Sequence, residues 1–333
     1  MTKATTLSVG LASAFALAIS CVFAGPVSAQ DREFGGEIEL VDPDVLRVCA
    51  DPNNMPFANQ AEEGFEQEVA ELLAEKLGRT SVSYTYFPQA TGFVRMTLGS
   101  NLCDLIVSYP QGDELVQNTN AYYRTAYAIV VPAEGDLSGV TKLEDPALQG
   151  KRLGIIAGTP PATYLAKAGL IGLAKPYQLM VDTRYDNSAE AMMKDLESGE
   201  IDAAVLWGPL AGWYAKQSEK DYKVVPLVNE GPGPAMAYRI TMGVRSADQE
   251  WKRTLNVAIR DNQEAINAIL QSYGVPLLNE ANEPLQAAAD TDAEAPASET
   301  DGASDDASGP QDAPAAGNGA TATGATGSQS GTN

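Results

Sequence analysis

A short apolar run, Leu46-Arg-Val-Cys-Ala50, stops at Asp51-Pro52 and gives way to a loop and then a helical pattern. The run has little polar face and reads as a buried parallel strand. Proline brings no amide hydrogen to a ladder and restricts the residue before it, so the strand ends there. Side-chain amides fill the following loop, with Met55 and Phe57 interleaved. Phe65, Val69, Leu72, Leu73 and Leu77 then recur at helical spacing, and Gly78 is placed to end the helix. In an open α/β sheet the loop after a strand's carboxyl end borders the ligand crevice. Residues 51–57 are therefore expected to form one wall of a binding cleft.

The same grammar continues along the chain. A half-buried strand is expected at 81–87, a short helix at 93–98 ended by Gly99, and a third strand at 103–109. Alternating strands and helices of this kind build a parallel doubly wound unit. The stretch 122–131 is long, aromatic and β-branched, and after it the pattern restarts. Strands are expected at 152–156, 177–183 and 201–207, with helices at 162–168, 188–198 and 210–216. Asn187 with Glu190 three residues on has the form of a capping box for the middle helix, and Gly199 closes it. Residues 238–245 form one more strand, and apolar residues from Trp251 to Leu270 mark a single long amphipathic helix ending near Gly274. The fold class this implies is α/β with two lobes, each a parallel doubly wound sheet, joined by two hinge crossings around a cleft. Residues 36–131 with 238–279 form the first lobe and 132–237 the second. Hinge closure around a guest is the motion such a chain supports.

The amino end reads differently. Lys3, an apolar stretch over 7–24 and Val27-Ser28-Ala29 make residues 1–29 a secretory signal peptide, so the mature protein is expected to be exported. No later stretch approaches the roughly twenty apolar residues of a membrane span, so no membrane insertion is expected. Cys21 leaves with the signal. Cys49 and Cys103 remain in an oxidising compartment, either as buried thiols or as a disulfide, and export favours the pair. The chain has no histidine, which removes the Ser-His and Cys-His nucleophile pairs and, with two cysteines, a zinc site. That counts against an enzyme, although carboxylate chemistry remains possible, and no resident cofactor or metal centre is expected. There are 44 acids against 22 bases, and nine of the acids lie after Ala281, where no Lys or Arg occurs. Nucleic acid and anionic lipid are poor partners for that charge, whereas a basic protein surface suits it. Residues 281–333 are small and polar and are expected to be a disordered, solubilising acidic tail.

The layout, with Met242-Gly-Val-Arg245 and Glu250-Trp251, resembles bacterial periplasmic solute-binding proteins of the amino-acid type over roughly residues 44–278. That family usually carries an arginine for the ligand carboxylate after the third strand and an aspartate for the ammonium at the end of the Gly-x-Ile-Asp-Ala segment. The loop from Tyr109 to Asn118 holds no arginine, and the segment from Gly199 ends in Trp207. Without both charged poles, zwitterion recognition through the usual pair is not expected. A narrower set of motifs is more specific. Cys49-Ala-Asp-Pro-Asn-Asn-Met-Pro-Phe57, Pro88-Gln-x-x-Gly-Phe-Val-Arg95, Cys103-Asp104, Gly158-Thr-Pro-Pro161, Val181-Asp-Thr-Arg184 and Trp207-Gly-Pro-x-Ala-Gly212 resemble the MoxJ/XoxJ type. These are solute-binding-like proteins encoded beside PQQ-dependent methanol dehydrogenases and their c-type cytochrome. The resemblance implies a periplasmic, non-enzymatic accessory protein that assists maturation of a quinoprotein methanol dehydrogenase, with that enzyme and its cytochrome as partners. The alternative is a receptor of an ABC transporter for a small, non-zwitterionic solute. Peptide, PQQ and a lanthanide ion all remain open as the bound species.

The expected cleft residues are Asp51, Asn53, Asn54, Met55, Phe57, Gln89, Tyr109, Gly158, Thr159, Trp207 and Gly208. Asp51, Asn53 and Asn54 either bind a guest or make Asx-turns at the helix. Met55 and Phe57 offer soft apolar contacts. Gly158 and Thr159 precede a helix amino end, where free amides attract an anion or carbonyl. Trp207, at a strand's carboxyl end, forms the opposite wall. Phe93 reads as core, Arg95 as half of a surface ion pair, and Trp213 and Tyr214 as helix packing.

Overall fold

The computed structural model describes residues 40–285, except 91. The signal peptide at 1–29 lies outside the described residues, as does the acidic tail beyond its first few residues. The chain begins with β1 (Val45–Ala50), a hairpin of β2 (Asn53–Asn54) and β3 (Ala58–Asn59), α1 (Phe65–Lys76), β4 (Ser81–Tyr86), α2 (Phe93–Met96), β5 (Leu105–Pro110) and β6 (Gln117–Asn118). β7 (Tyr123–Pro132) leads to β8 (Leu153–Ile156), α3 (Pro160–Lys167), β9 (Lys175–Tyr177), α4 (Ser188–Ser198), β10 (Ala203–Trp207), α5 (Gly208–Gln217) and β11 (Tyr222–Pro226). Then come β12 (Ala237–Val244), α6 (Gln249–Asp261) and α7 (Gln263–Ser272).

The strand order is β4-β1-β5-β12-β7-β10-β8-β9, with β11 also on β7 and β6 on β12. β4-β1-β5 and β9-β8-β10 are the parallel units, each with its first strand in the middle and its second at the edge. β7 and β12 run antiparallel between them. This is the two-lobe periplasmic-binding-protein architecture of type 2.

Strand alternation sorts side chains to the two faces of each sheet. Leu46, Val48, Leu105 and Val107 enter the core under α1, α6 and α7, whereas Cys49 and Ile106 point the other way, to Phe93, Leu98 and Val116. In the second lobe Ala203 and Val205 face one core and Ala204 and Leu206 the other. Cys49 and Cys103 are joined as a disulfide across 54 residues, a loop closure worth about 4 kcal/mol in the chain-entropy account.

Three expectations are corrected. The strand over 177–183 ends at Tyr177, because β9 is an edge strand paired only with β8, and residues 178–183 turn away to the cleft. The single helix over 251–270 is broken at Asn262, whose side chain donates to Ala258 O at 2.8 Å. The break lets Leu255, Ile259, Ile266 and Leu270 share one core. Gly99 does not end α2; Thr97 does, and Gly99 lies in a following 3-10 turn over Leu98–Ser100.

Behind the parallel strands sits a buried ionic hub. Asp104 is 1% exposed and accepts two hydrogen bonds from Arg47, at 2.6 and 2.7 Å, and one from Arg245 at 2.6 Å. Its backbone oxygen accepts from the Trp251 indole at 3.1 Å, and Arg79 lies over that ring at 5.1 Å. Cys103-Asp104 and Met242-Gly-Val-Arg245 are thus structural. Removing the carboxylate strips Arg47 of its ion-pair partner and leaves Arg245 to Asp248 and Cys103 O. Asp104→Ala is expected to cost about 3 kcal/mol in urea unfolding, while deleting the exposed Arg253–Glu250 pair serves as a near-neutral control.

Candidate functional site

The cleft wall is built outward from Asp51. This carboxylate is fully buried and accepts the amide of Asn53 at 2.9 Å and that of Gln89 at 2.6 Å. Burial pushes its carboxyl up, and the two amides pull it back. Asp51 therefore ties the loop after β1 to the loop after β4. The chain then folds back through β2 and β3 to close the amino end of α1. Pro56 O and Phe57 O accept the amides of Phe65 and Glu66 at 2.8 and 3.0 Å. Gly64 is required at this approach, since a Cβ there would stand 2.1 Å from Phe57 O.

Asn54, Phe57, Gln89, Tyr109 and Trp207 come together around a cavity of about 530 Å³, joined by Ser108, Tyr123, Tyr127, Leu179, Leu210, Tyr238 and Ile240. Its aromatic floor is a trio. Trp207 meets Tyr127 at 5.1 Å and Tyr238 at 5.8 Å between ring centroids, edge to face, and Tyr127 meets Tyr238 at 6.4 Å. Burial pushes the Tyr127 hydroxyl up to about 12. A smaller space of about 190 Å³ continues on the second-lobe side, where Thr159, Asn187 and Ser188 join Asn54, Gln89 and Trp207. Asn187 caps α4 through the Glu190 amide at 2.9 Å and donates to the Tyr214 hydroxyl at 2.9 Å. No charged side chain lines either space among the described residues.

The other expected residues support the cleft without lining it. Asn53 donates to Thr183 O at 2.9 Å, a bond from the first lobe to the second. Met55 packs on the first-lobe core. Gly158 turns the chain between β8 and α3. Gly208 is a wedge, because a Cβ there would stand 2.4 Å from Ala126 O. The first turn of α3 after Gly158 and Thr159 offers few free amides. Pro160 and Pro161 carry no N–H, the Ala162 amide is bonded to Thr159 O at 3.1 Å, and the Thr159 hydroxyl donates to Ile156 O at 2.6 Å. Arg95 is not half of an ion pair; no carboxylate among the described residues lies within ion-pair distance of it.

Tyr123, Tyr127 and Tyr238 went unmarked in the sequence. Their signal was present, since Tyr123 and Tyr127 lie four apart on a crossing strand and so share a face. Glu66 was also missed. It is 1% exposed on α1, beside Ser108, with Oε1 lacking a hydrogen-bond partner. Ser108 lines the cavity and meets the hydroxyls of Tyr122 and Tyr123 at 3.3 and 3.4 Å. Burial, with a contribution from Asp51, pushes the Glu66 carboxyl up to about 8. Its signal was an acid at helical spacing with Val69, Ala70 and Leu73.

No family model matches the chain. Among curated proteins it is 27% identical over 252 residues to the protein MoxJ of Paracoccus denitrificans, covering 72% of this chain and 91% of that one. With MoxJ of Methylorubrum extorquens it is 27% identical over 283 residues, covering 80% and 93%. The solved structure of the periplasmic binding protein XoxJ from Methylobacterium extorquens AM1 superposes with a TM-score of 0.61 at 40% identity, over 71% of this chain and all of that one. The chain belongs to the MoxJ/XoxJ family. Within this MoxJ/XoxJ chain the motif Pro88-Gln89…Arg95 supplies lining residues, whereas Asp51 and Gly208 serve to place the walls.

Glu66 makes a prediction. Its folded carboxyl titrates above the unfolded value of about 4.5, so the folded state binds the proton more tightly. The stability contribution is complete below the unfolded value and is lost as pH rises through about 8. Glu66→Gln should match the parent's melting temperature near pH 4.5 and exceed it by several degrees at pH 9, measured by circular dichroism.

Proposed function

We propose that the protein is a periplasmic accessory factor of a PQQ-dependent methanol dehydrogenase, and that its cleft holds a segment of that enzyme while it matures. The observation that carries this reading is an aromatic cleft whose two central spaces hold no charged side chain, in a chain of MoxJ/XoxJ type. Residues 36–131 with 238–279 make one lobe in this reading and 132–237 the other, with the guest seated between them. The role is binding rather than catalysis. The c-type cytochrome that accompanies such dehydrogenases is a further partner.

The donor set favours a segment over the other guests. A lanthanide ion needs clustered carboxylates, and no group of three or more His, Cys, Asp or Glu among the described residues could hold a metal. PQQ carries three carboxylates, whereas the linings of the cleft hold a single cation, Arg95, to meet them. A cavity of about 530 Å³ is also the size of a small-solute pocket, which keeps the ABC-receptor reading as the second one. Among the described residues, no helix is long and apolar enough to cross a membrane.

Tagged protein from methanol-grown cells is expected to co-purify with the dehydrogenase. Trp207→Ala should weaken that association about thirtyfold, the loss of about 2 kcal/mol that follows removal of a central aromatic anchor. A deletion strain should assemble dehydrogenase of low activity. Full activity in that strain overturns the maturation role, and one solute of micromolar affinity in a thermal-shift screen replaces it with transport.

A further inference from the structure

A third space, of about 500 Å³, opens off the cleft between α2 and β5. It shares Gln89, Ser108, Tyr109 and Pro110 with the aromatic cavity, so the two are continuous. Across all three linings one charged side chain occurs among the described residues, and it is Arg95. Its guanidinium has no hydrogen-bond or ion-pair partner there, although the chain carries twice as many acids as bases. Ser100 anchors only its backbone, donating to Arg95 O at 2.8 Å. Elsewhere the arginines facing this lobe's core are committed. Arg47 and Arg245 hold Asp104, and Arg79 donates to Asp42 O at 2.6 Å.

An unpaired guanidinium at one end of an otherwise uncharged trough is a recognition element for an anion. Its planar fork matches a carboxylate. The Tyr109 ring and the Gln89 amide lie on the path to the aromatic floor, with Asp113 near the Tyr109 hydroxyl. Exposed apolar surface borders it too, with Leu115 at 66%.

We infer that Arg95 is the anion pole of the cleft, and that the guest is a protein segment bearing a carboxylate next to aromatic or apolar side chains. The carboxylate sits at Arg95 and the apolar part on Trp207, Tyr127 and Tyr238. This rests on the reading of the cleft as a segment-binding site and names the chemistry of the segment. The charge lies on a different element from the one where amino-acid binders usually carry it. Arg95 comes from α2, whereas the loop after β5 has none.

Calorimetry with purified protein and three peptides tests it: acetyl-Glu-Phe-Leu-amide, acetyl-Gln-Phe-Leu-amide, and acetyl-Phe-Leu with a free carboxyl end. The Glu peptide, or the one with a free end, should bind about tenfold more tightly than the Gln peptide. Whichever is preferred identifies the source of the carboxylate as side chain or chain end. Arg95→Gln should erase the preference while leaving the Gln peptide unchanged, and Arg95→Lys should keep part of it. Arg95 is exposed, so equal melting temperatures confirm that each variant is folded. Trp207→Ala should weaken all three peptides alike. Equal binding of the three, or a preference that survives Arg95→Gln, overturns the anion pole and leaves the segment-binding cleft standing. Binding of none overturns both.

Discussion

Strand β7 belongs to two sheets at once, and the cleft exists because of how it changes partners. Tyr123 to Ala126 pair with β12; from Tyr127 onward the same strand pairs with β10 and β11. The changeover falls at Tyr127, whose ring joins the floor trio. A strand pleats its side chains to alternate faces, so the register that buries Ile129 and Val131 in the second lobe also fixes Tyr127 over the cleft. β12 makes the matching change, leaving β7 after Ile240 to run along β5, and it carries Tyr238. Gly208 lets α5 start hard against β7, which in turn brings Trp207 to the same point.

The two lobes close their bases by the same device. In each, an arginine near the start of the first strand meets an aspartate just before the third, and the aspartate amide donates to the arginine's own carbonyl at 2.8 Å. Arg47 and Asp104 do this in the first lobe, Arg152 and Asp202 in the second. The copies differ in weight. Asp104 is sealed and shared with Arg245, whereas Arg152 is half exposed and its pair is screened by water. The first lobe also has the Cys49–Cys103 bond beside its hub, so its strand ends are the more firmly fixed part of the molecule.

Much of this was legible in the chain. β1, α1 and α4 lie where proline, glycine and Asn187 punctuate the apolar pattern, because those signals act locally. Two failures share a cause. Leu179 and Val181 alternate like a strand, yet they line the cleft because nothing lies beyond the β9 edge to pair with them. The run from Trp251 to Leu270 keeps one helical stripe, yet the core it covers lies to one side and the chain turns at Asn262. Within the site, Phe57 and Trp207 could be placed from their positions at strand ends. The meeting of Tyr127 with Tyr238 could not, because it depends on a register between strands more than a hundred residues apart. Asp51 takes the Asx-turn alternative with Asn53, while its bond to Gln89 and the close approach of Gly208 to Ala126 O involve backbone from more distant sequence.

The floor trio also has a kinetic meaning. Tyr127 and Tyr238 stand on the two strands that pass between the lobes, and Trp207 is held to Tyr127 by the β10–β7 ladder. A rotation of one lobe against the other pivots about those strands and leaves the three rings together. Asn53 and Thr183, on opposite rims, are instead the contacts that such a rotation breaks. In the proposed segment-binding reading, a guest arriving at the open molecule would therefore meet a finished landing surface, and its capture rate would depend little on closure. Rim contacts formed afterwards would govern how long it stays.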